Sequence, residues 1–221
     1  MGKNIRIKDP VVFFDFDNTI TTVDVLDDML SRFSRNDNWM ALEEDWKNGR
    51  IGSRECLKGQ IEGIGITKKA LDEYLTGIKL DPYFKKLLVF LKTKNIKTFI
   101  VSDNFDCILK KILADNGISG LEVYSNSLTI TGDRLTTSFP LTSADCGGCA
   151  HCKKTTLRKH IDAGSTAVYV GDGQSDVCGS EGADIVFAKG YLKDHYKNKG
   201  LSCISFDVLK DVYDYFQENI S

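Results

Sequence analysis

The sequence predicts an α/β protein with a doubly wound parallel sheet. Short runs rich in β-branched and aromatic residues recur along the 221-residue chain, at 11–15, 97–101, 167–170, 184–187 and 202–206. Segments whose apolar residues have helical spacing separate these runs, and such alternation indicates βαβ units. The runs are continuously apolar rather than alternating, which is expected where helices cover both faces of a sheet.

The composition limits the classes of partner. The formal net charge is −2, and no basic block is longer than a pair, so we expect no nucleic-acid partner. The N-terminal ten residues, MGKNIRIKDP, lack the apolar region of a secretory signal, and no later stretch has the apolar length of a membrane span. We therefore expect a cytoplasmic protein with no membrane partner, whose oligomeric state the sequence leaves open.

A helical insertion follows the first strand. Between residues 21 and 79 the apolar residues recur at helical spacing and no strand pattern interrupts them. We therefore predict a core formed by residues 1–20 and 80–221, with a small helical domain at 21–79. Trp39 and Trp46 lie one heptad apart within it, where core packing is the first expectation and a pocket wall the alternative.

The rest of the chain contains a hairpin and a closing helix. Residues 121–152 include two alternating runs separated by the turn sequence TGDR, which predicts a β-hairpin. The cysteine-rich sequence CGGCAHC follows it. The C-terminal sequence FDVLKDVYDYFQENI predicts an amphipathic helix.

Polar residues follow three of the apolar runs directly. Ligands of open α/β sheets collect at the carboxyl ends of the parallel strands, so these residues are the candidates for a site. After the first run come Asp15, Asp17 and Thr19; after the second, Ser102, Asp103 and Asn104; after the third, Gly171, Asp172, Gly173 and Asp176. Lys153 or Lys154 stands at a predicted helix start just before the third run.

These side chains indicate a magnesium-dependent phosphoryl-transfer site. Carboxylates that converge on one edge repel one another unless a cation lies among them, and Mg²⁺ prefers such oxygen ligands together with a substrate phosphate. The Ser102 hydroxyl, the N–H groups of a helix that begins near Phe105 and the lysine would bind that phosphate. Asp15 would attack phosphorus and form an aspartyl phosphate. Asp17, expected on the same side of the strand, would act as general acid and base.

Four ordered motifs, DFDNTI, FIVSD, CKKTTL and VGDGQSD, resemble those of the haloacid dehalogenase superfamily of phosphohydrolases. The helical insertion is similar to the cap domain of its phosphoserine-phosphatase-like branch. The lysine at 153 is favoured over that at 154 because it precedes Leu157 by four residues, as in related phosphatases. The resemblance implies a nucleophile, Asp15; a general acid and base, Asp17; phosphate ligands, Ser102 and Lys153; and Mg²⁺ ligands, Asp15, the Asp17 carbonyl and Asp172, supported by Asp176.

The sequence departs from phosphoserine phosphatases in two places. Asp103 and Asn104 follow Ser102 where that group has two glycines, and Gln60 stands where a cap arginine is expected. The sequences VSDN, YSNS, CGGCAHCK, GDGQSDVC and FAKGYLKDH resemble the phosphoethanolamine/phosphocholine phosphatase group more, and the methylthiopentenyl-phosphate phosphatase of methionine salvage less. The resemblance implies a small aminoalkyl phosphate as substrate.

In the phosphoethanolamine/phosphocholine group, acidic side chains bind the cationic head of the substrate. Asp103 occupies one such position, beside the phosphate site, and Asp27 is the candidate for the other. A buried ammonium group needs a carboxylate partner. The alternative for Asp24, Asp27 and Asp28 is that acids in the first turn of a helix stabilise its dipole.

Three cysteines, Cys146, Cys149 and Cys152, have the three-residue spacing of thiolate ligands for Zn²⁺. A structural zinc site would need a fourth ligand, for which Cys178 or Cys203 are candidates. Free buried or redox-labile thiols are the alternative, since seven scattered cysteines indicate a reducing compartment.

Functions of other classes remain to be weighed. A receiver-like phospho-acceptor also gathers acids, a hydroxyl and a lysine around Mg²⁺, but does not require an acid such as Asp17 or an inserted helical domain. A zinc-binding adaptor would leave the four motifs unexplained. A phosphotransferase would pass the aspartyl phosphate to an alcohol instead of water, which the sequence does not distinguish.

Overall fold

A seven-stranded sheet forms the centre of the protein in a computed structural model, which describes residues 7–220. The strand order is β4-β3-β2-β1-β5-β6-β7. The strands are β1 (Val11–Phe14), β2 (Lys97–Phe105), β3 (Glu122–Thr131), β4 (Arg134–Ser138), β5 (Ala167–Gly171), β6 (Ile185–Ala188) and β7 (Ile204–Ser205). The helices are α1 (Val25–Phe33), α2 (Asn38–Lys47), α3 (Ser53–Glu62), α4 (Lys68–Thr76), α5 (Phe84–Thr93), α6 (Asp106–Asp115), α7 (Lys153–His160), α8 (Asp176–Ser180), α9 (Gly190–Asn198) and α10 (Leu209–Asn219).

The central strand β1 is buried on both faces. All four of its side chains are buried, with Val12 and Phe14 in one apolar cluster and Val11 and Phe13 in another. The two clusters occupy opposite faces because successive side chains of a strand alternate. Helices therefore cover both faces, which confirms the predicted doubly wound α/β class and explains why β1 is continuously apolar.

Strands β1, β2 and β5 end at one edge of the sheet, called here the carboxyl edge. β1 pairs in parallel with both neighbours, so that Phe14 lies opposite Ile100 of β2 and Val170 of β5. The residues that follow these strands must therefore lie near one another. The first run ends at Phe14 rather than at residue 15, which leaves Asp15 as the first residue beyond the strand.

Several strand boundaries differ from the sequence prediction: β5 and β6 end one residue later than expected, at Gly171 and Ala188. β2 continues to Phe105, four residues past the apolar run, because its end pairs with β3 across a register shift. β7 comprises only Ile204–Ser205, because just two residues pair with β6. β3 belongs to the parallel sheet through Glu122 opposite Phe99 before it enters the hairpin. The predicted hairpin is confirmed: Thr131 pairs with Arg134, and Gly132 takes the turn with a φ of +65°.

Four helices follow β1. Residues 21–79, all of them described, contain α1–α4, and the only β pairing recorded for them is in two isolated bridges, Thr21 with Leu80 and Ser34 with Ile64. Trp39 packs against the apolar core, as expected of it, whereas Trp46 lines the pocket described below. The division into a core and a helical domain stays a prediction. None of the described helices combines the length and the apolar character needed to cross a membrane.

Asp81 joins three parts of the fold where the chain returns from the helical insertion. Its N–H donates to the Ile20 carbonyl, and its Oδ1 accepts from the Tyr83 N–H at 2.8 Å. Its Oδ2 accepts from the Leu209 N–H at 3.0 Å, at the start of α10. Because Asp81 is buried, both N–H groups depend on this carboxylate for a partner.

We expect Asp81→Ala to lower the free energy of unfolding by about 2–4 kcal/mol, because two helix-terminal N–H groups lose their acceptor. Urea unfolding followed by circular dichroism measures this. Asp194→Ala is the control, since Asp194 is exposed on α9, and it should change the stability by less than about 0.5 kcal/mol. Equal losses for both variants would contradict the role of Asp81.

Candidate active site

Asp15 and Asp172 lie side by side at the carboxyl edge. The Asp15 N–H continues the β1–β5 pairing by donating to the Val170 carbonyl at 2.8 Å. Asp172 follows β5 directly, and its Oδ1 accepts from the Thr19 hydroxyl at 2.9 Å. The parallel strands that end at this edge predict that Asp15 and Asp172 meet, and the structure brings these two residues together although they are 157 positions apart in the sequence.

Lys153 is the buried cation of this edge. Its Nζ donates to Asp15 Oδ1 and to Asp176 Oδ1, at 2.6 Å each, and the residue is 2% exposed. Burial alone would lower the pKa of Lys153, but Asp15 and Asp176 raise it well above its ordinary value. Lys154 instead pairs with Glu181 on the surface. Of the two candidate lysines, the structure places only Lys153 beside Asp15.

Asp176 has every acceptor position occupied by the protein. Its Oδ1 accepts from Lys153 and from the Tyr169 hydroxyl at 2.6 Å, and its Oδ2 accepts from the N–H groups of Asp172 and Gly173 at 2.9 Å. Asp176 therefore fixes both Lys153 and the loop that carries Asp172. Tyr169 was not predicted as a site residue, because its position on a buried strand is typical of core packing.

Asp15, Asp172 and Asp176 form a group suited to a divalent cation. One oxygen from each lies within 4.8 Å of the others, the single such group of metal-binding side chains found in residues 7–220. Burial, and then repulsion from Asp176, raises the pKa of Asp15 well above 3.8 and that of Asp172 to about 7. Closely spaced oxygen ligands whose charges are not balanced fit Mg²⁺. Because the four hydrogen bonds occupy Asp176, Asp15 and Asp172 are the available ligands.

Asp17 reaches the site from a turn, not from the strand. The strand alternation that we used to place it is wrong, since β1 ends at Phe14 and residues 17–20 form a turn. The Asn104 side-chain amide donates to both Asp17 oxygens, at 3.1 and 3.0 Å, and the Val25 N–H donates to one of them. Burial, and then repulsion from Asp24, raises the pKa of Asp17 well above 3.8. This favours the protonated form that a general acid requires.

The Ser102 hydroxyl lies in the same pocket as Asp15 and Asp17. Its oxygen accepts from the Asn104 N–H at 3.0 Å, which leaves the O–H free to donate. His151 Nδ1 donates to the Ser102 carbonyl at 3.1 Å, and its Nε2 accepts from the Thr156 hydroxyl at 2.7 Å. Burial lowers the pKa of His151 to about 4, so the ring is neutral and positions this loop. In the sequence, His151 is only one residue of the cysteine-rich segment CGGCAHC, and nothing in that pattern predicts this role.

A pocket of about 130 Å³ opens from these residues towards α1, α2 and α3. Asp15, Asp17, Ser102 and Asp172 all line it. The walls are formed by Asp24, Leu26, Asp27, Glu43, Trp46, Ser53, Cys56, Leu57, Gln60, Asp103, Asn104, Gly173, Gln174 and Ser175. Trp46 takes the pocket-wall role that was its alternative, whereas Glu43 and Ser53 were not predicted, because their position depends on how α2 and α3 pack.

The three acids at the start of α1 have separate roles. Asp24 caps the helix by accepting from the Asp27 N–H at 3.0 Å, and Asp28 pairs with Arg32 and Tyr74. Asp27 is exposed at the pocket mouth, where desolvation and then repulsion from Asp24 and Glu43 raise its pKa to about 6. The helix-terminus explanation therefore fits Asp24 and Asp28, although Asp24 also lines the pocket. Asp27 lines the pocket without capping the helix and forms no ion pair with the described residues.

Asp103 brings a further carboxylate to the pocket wall. Its Oδ1 is buried and has no hydrogen-bond partner among the described residues. Burial raises the pKa of Asp103 to about 6, against the opposing effect of Lys153. The backbone here is fixed, because the Asn126 amide donates to the Asp103 carbonyl at 2.6 Å. A buried carboxylate that lacks a partner favours a cationic or hydrogen-bond-donating ligand.

The cysteine cluster gains a fourth member in the structure. Cys178 Sγ lies 3.9 Å from Cys146 Sγ, and Cys149 and Cys152 are within hydrogen-bonding reach of Cys146. Cys203 packs elsewhere, against the second apolar cluster. No three of these sulfur atoms meet the 4.8 Å spacing among the described residues. A zinc site at Cys146, Cys149 and Cys152 stays a prediction, which metal analysis of the purified protein tests.

Comparison with known proteins gives consistent matches over most of the chain. Residues 10–203 match the sequence model of a family described as "Putative Phosphatase". The 2-hydroxy-3-keto-5-methylthiopentenyl-1-phosphate phosphatase of Brevibacillus brevis is 26% identical over 212 residues, covering 94% of this chain and 95% of that protein. Pdp3-interacting factor 1 of Schizosaccharomyces pombe is 24% identical, covering 91% of this chain and 92% of that protein. A substrate-bound phosphoserine phosphatase complex superimposes with a TM-score of 0.72 at 18% identity, covering 93% of this chain and 97% of that chain.

We expect Lys153→Met to lower the free energy of unfolding by about 3–5 kcal/mol, because two buried carboxylates lose their cation. Lys154→Met is the matched control: its exposed pair with Glu181 should contribute less than about 1 kcal/mol. Urea unfolding at pH 7 in the absence of divalent ions measures both. A larger loss for the Lys154 variant would reverse the assignment of the buried lysine.

Proposed function

Because the chain belongs to this phosphatase family and is a phosphatase of the haloacid dehalogenase type, we propose that it hydrolyses a small phosphomonoester with a cationic end group. The observation that carries the proposal is the charge of the pocket. Seven of its eighteen lining residues are Asp or Glu, and none of the described lining residues is Lys, Arg or His. Such a wall repels an anionic end group and attracts a cationic one.

The carboxyl edge supplies the groups that phosphoryl transfer needs. Asp15 is proposed to attack phosphorus, forming the aspartyl phosphate while the bond to the leaving oxygen breaks. Lys153, already bonded to Asp15, would hold the nucleophile in place and bind a phosphate oxygen. The free O–H of Ser102 would donate to another phosphate oxygen.

Asp17 is proposed to transfer the protons. In its protonated form it gives a proton to the leaving alkoxide, and as a carboxylate it then removes one from the water that hydrolyses the aspartyl phosphate. Asn104 and the Val25 N–H hold both Asp17 oxygens, so the carboxyl group is oriented before substrate binds. The raised pKa of Asp17 suits the first of these two steps.

Mg²⁺ is the proposed cofactor. Asp15, Asp172 and the Asp17 carbonyl would bind the ion, which would balance the charge of the carboxylates and of the phosphoryl group. Asp176 would support the metal site without binding the ion, because its carboxylate accepts hydrogen bonds from Lys153 and from the backbone of residues 172–173.

The far end of the pocket suits an aminoalkyl phosphate such as phosphoethanolamine or phosphocholine. Asp27 and Asp103 are the proposed partners of the ammonium group, and a bound cation would give the buried Oδ1 of Asp103 the partner it lacks. The volume of about 130 Å³ suits a small ester rather than a nucleotide.

A second candidate substrate is suggested by the relatives. Several proteins between 24% and 28% identical to this chain are methylthiopentenyl-phosphate phosphatases. Leu26, Cys56 and Leu57 give one part of the pocket an apolar lining that would accommodate a thioether. We favour the cationic ester because a neutral substrate would leave the surrounding carboxylates unbalanced.

Gln60, a neutral side chain in the pocket, disfavours a phosphoserine carboxylate there. Transfer of the phosphoryl group to an added alcohol would identify a phosphotransferase.

Turnover should require both Asp15 and a divalent ion. We expect Asp15→Asn to lower kcat for any accepted phosphomonoester by about 10⁴-fold or more, because the covalent route is lost. Removal of divalent ions with a chelator should abolish release of inorganic phosphate by the wild-type protein, and added Mg²⁺ should restore it. Persistent turnover in the chelated wild type would contradict a magnesium-dependent mechanism.

Charge should decide the choice of substrate. We expect kcat/KM for phosphocholine to exceed that for 3,3-dimethylbutyl phosphate, its uncharged isostere, by about tenfold or more, because the two differ only in the charge facing the carboxylates. Asp103→Asn should lower this ratio, whereas the control Asp106→Asn, outside the pocket, should not. A ratio near one, or a preference for the methylthiopentenyl phosphate, would overturn the cationic assignment.

The ratio of kcat/KM for phosphocholine to kcat/KM for 3,3-dimethylbutyl phosphate should fall as the pH is lowered from 7 to 5. Burial disfavours the charged form of Asp103 and raises its pKa to about 6, so protonation below that pH removes the charge that attracts the cation. The groups that act on Asp103 are Lys153, which opposes protonation, Asp176, which favours it, and the Ser53 hydroxyl. The fall should be smaller in Asp103→Asn. An unchanged fall in that variant would exclude Asp103 as its source.

A further inference from the structure

Helix α2 places Glu43 and Trp46 on the pocket wall. The two residues are three positions apart and therefore share one face of the helix. The Glu43 side chain is only 16% exposed. Its charge adds to the repulsion that raises the pKa values of Asp24 and Asp27, after desolvation. Glu43 therefore belongs electrostatically to the acidic end of the pocket.

Gln60 of α3 holds Glu43 in place. Its Nε2 donates to Glu43 Oε2 at 2.9 Å and contacts the Trp39 carbonyl at 3.4 Å. Gln60 is 2% exposed, so its amide has few alternative partners. The Cys56 thiol lies 4.0 Å from the same Glu43 oxygen. Because an amide is neutral, Gln60 orients the carboxylate and leaves its charge in place. A buried lysine or arginine in the same position would cancel that charge.

The lysine that pairs with Glu43 does not line the pocket. Lys47 Nζ lies 3.1 Å from Glu43 Oε1, but its side chain is 60% exposed and it is not among the lining residues. Solvent screens such a pair. A ligand cation inside the pocket would approach the carboxylate in a drier environment, where the attraction is stronger.

We propose that Glu43 is a specificity-determining residue that receives the cationic end of the substrate, and that Gln60 is its positioning residue. This rests on the proposed function and deepens it. Trp46 lines the same pocket three positions after Glu43, and aromatic faces attract ammonium groups, methylated ones included. The site therefore takes an alkylammonium group, between Glu43 and Trp46 of α2 and Asp27 of α1.

The test compares phosphocholine with 3,3-dimethylbutyl phosphate in the full-length protein with Mg²⁺. Glu43→Gln should lower the ratio of the two kcat/KM values by about tenfold, because the side chain keeps its shape and loses its charge. Glu43→Asp should retain part of the ratio. Glu44→Gln is the matched control, since Glu44 is the next residue and its side chain is 73% exposed, and it should leave the ratio unchanged.

Gln60→Met tests the positioning role separately. The substitution nearly conserves volume and removes the amide donor, so we expect the ratio to fall in the same direction as in Glu43→Gln but by less. A purely structural role would lower kcat/KM for both esters equally and leave the ratio at its wild-type value.

The outcomes separate this inference from the proposed function. A wild-type ratio near one would overturn the proposed function. A high wild-type ratio that Glu43→Gln leaves intact would overturn only the assignment of Glu43. A ratio that falls in Glu43→Gln and stays intact in Gln60→Met would support Glu43 and remove Gln60 as its positioning residue.

Discussion

The architecture of the site depends on one buried ammonium group, that of Lys153. Its Nζ lies 2.6 Å from one oxygen of Asp15 and 2.6 Å from one of Asp176, and a buried carboxylate that loses its cationic partner is strongly destabilising. The triad carries one net negative charge. The Tyr169 hydroxyl and two backbone N–H groups stabilise the charge of Asp176 by donating hydrogen bonds to it. Asp15 lines the pocket. The ion pairs and hydrogen bonds of this triad thus offset the free-energy cost of burying its charges at the place where the chemistry is proposed to occur.

The segment that leads to Lys153 also contacts the helical insertion. The Gly148 carbonyl accepts from the Arg54 N–H, and the Ser53 hydroxyl oxygen accepts from the Ala150 N–H at 2.8 Å. Gly52 and Gly148 pack so closely that a Cβ at position 52 would lie 2.5 Å from the Gly148 oxygen. The helix that begins here, α3, carries Gln60. The phosphate end of the pocket and its acidic end are therefore fixed to one another through backbone contacts, without a flexible connection.

The site residues that could be predicted from the sequence are those that come at the carboxyl ends of parallel strands, where one rule places them all. Parallel strands that end at one edge predict that Asp15, Ser102 and Asp172 meet, and the register of β1 with its neighbours brings them together. The placement of Asp17 by strand alternation was wrong because the chain turns after Phe14. Glu43 was not predicted as a site residue and Trp46 was expected first in the core, because which face of α2 meets the pocket depends on its packing against α3. Tyr169 has the sequence signature of a core residue and also serves the site.

The spacing of Ser102 and Asp103 constrains the ligand. They are adjacent in β2, so their Cα atoms lie about 3.8 Å apart, yet one is proposed to bind phosphate and the other a cation. Both residues line the pocket, so the proposed phosphate and cation would bind close together. In the proposed complex, Lys153 and Mg²⁺ would attract the anion, while Asp27, Glu43 and Asp103 would attract the cation. An aminoalkyl phosphate, whose two charges are joined by a short spacer, would fit this proposed arrangement.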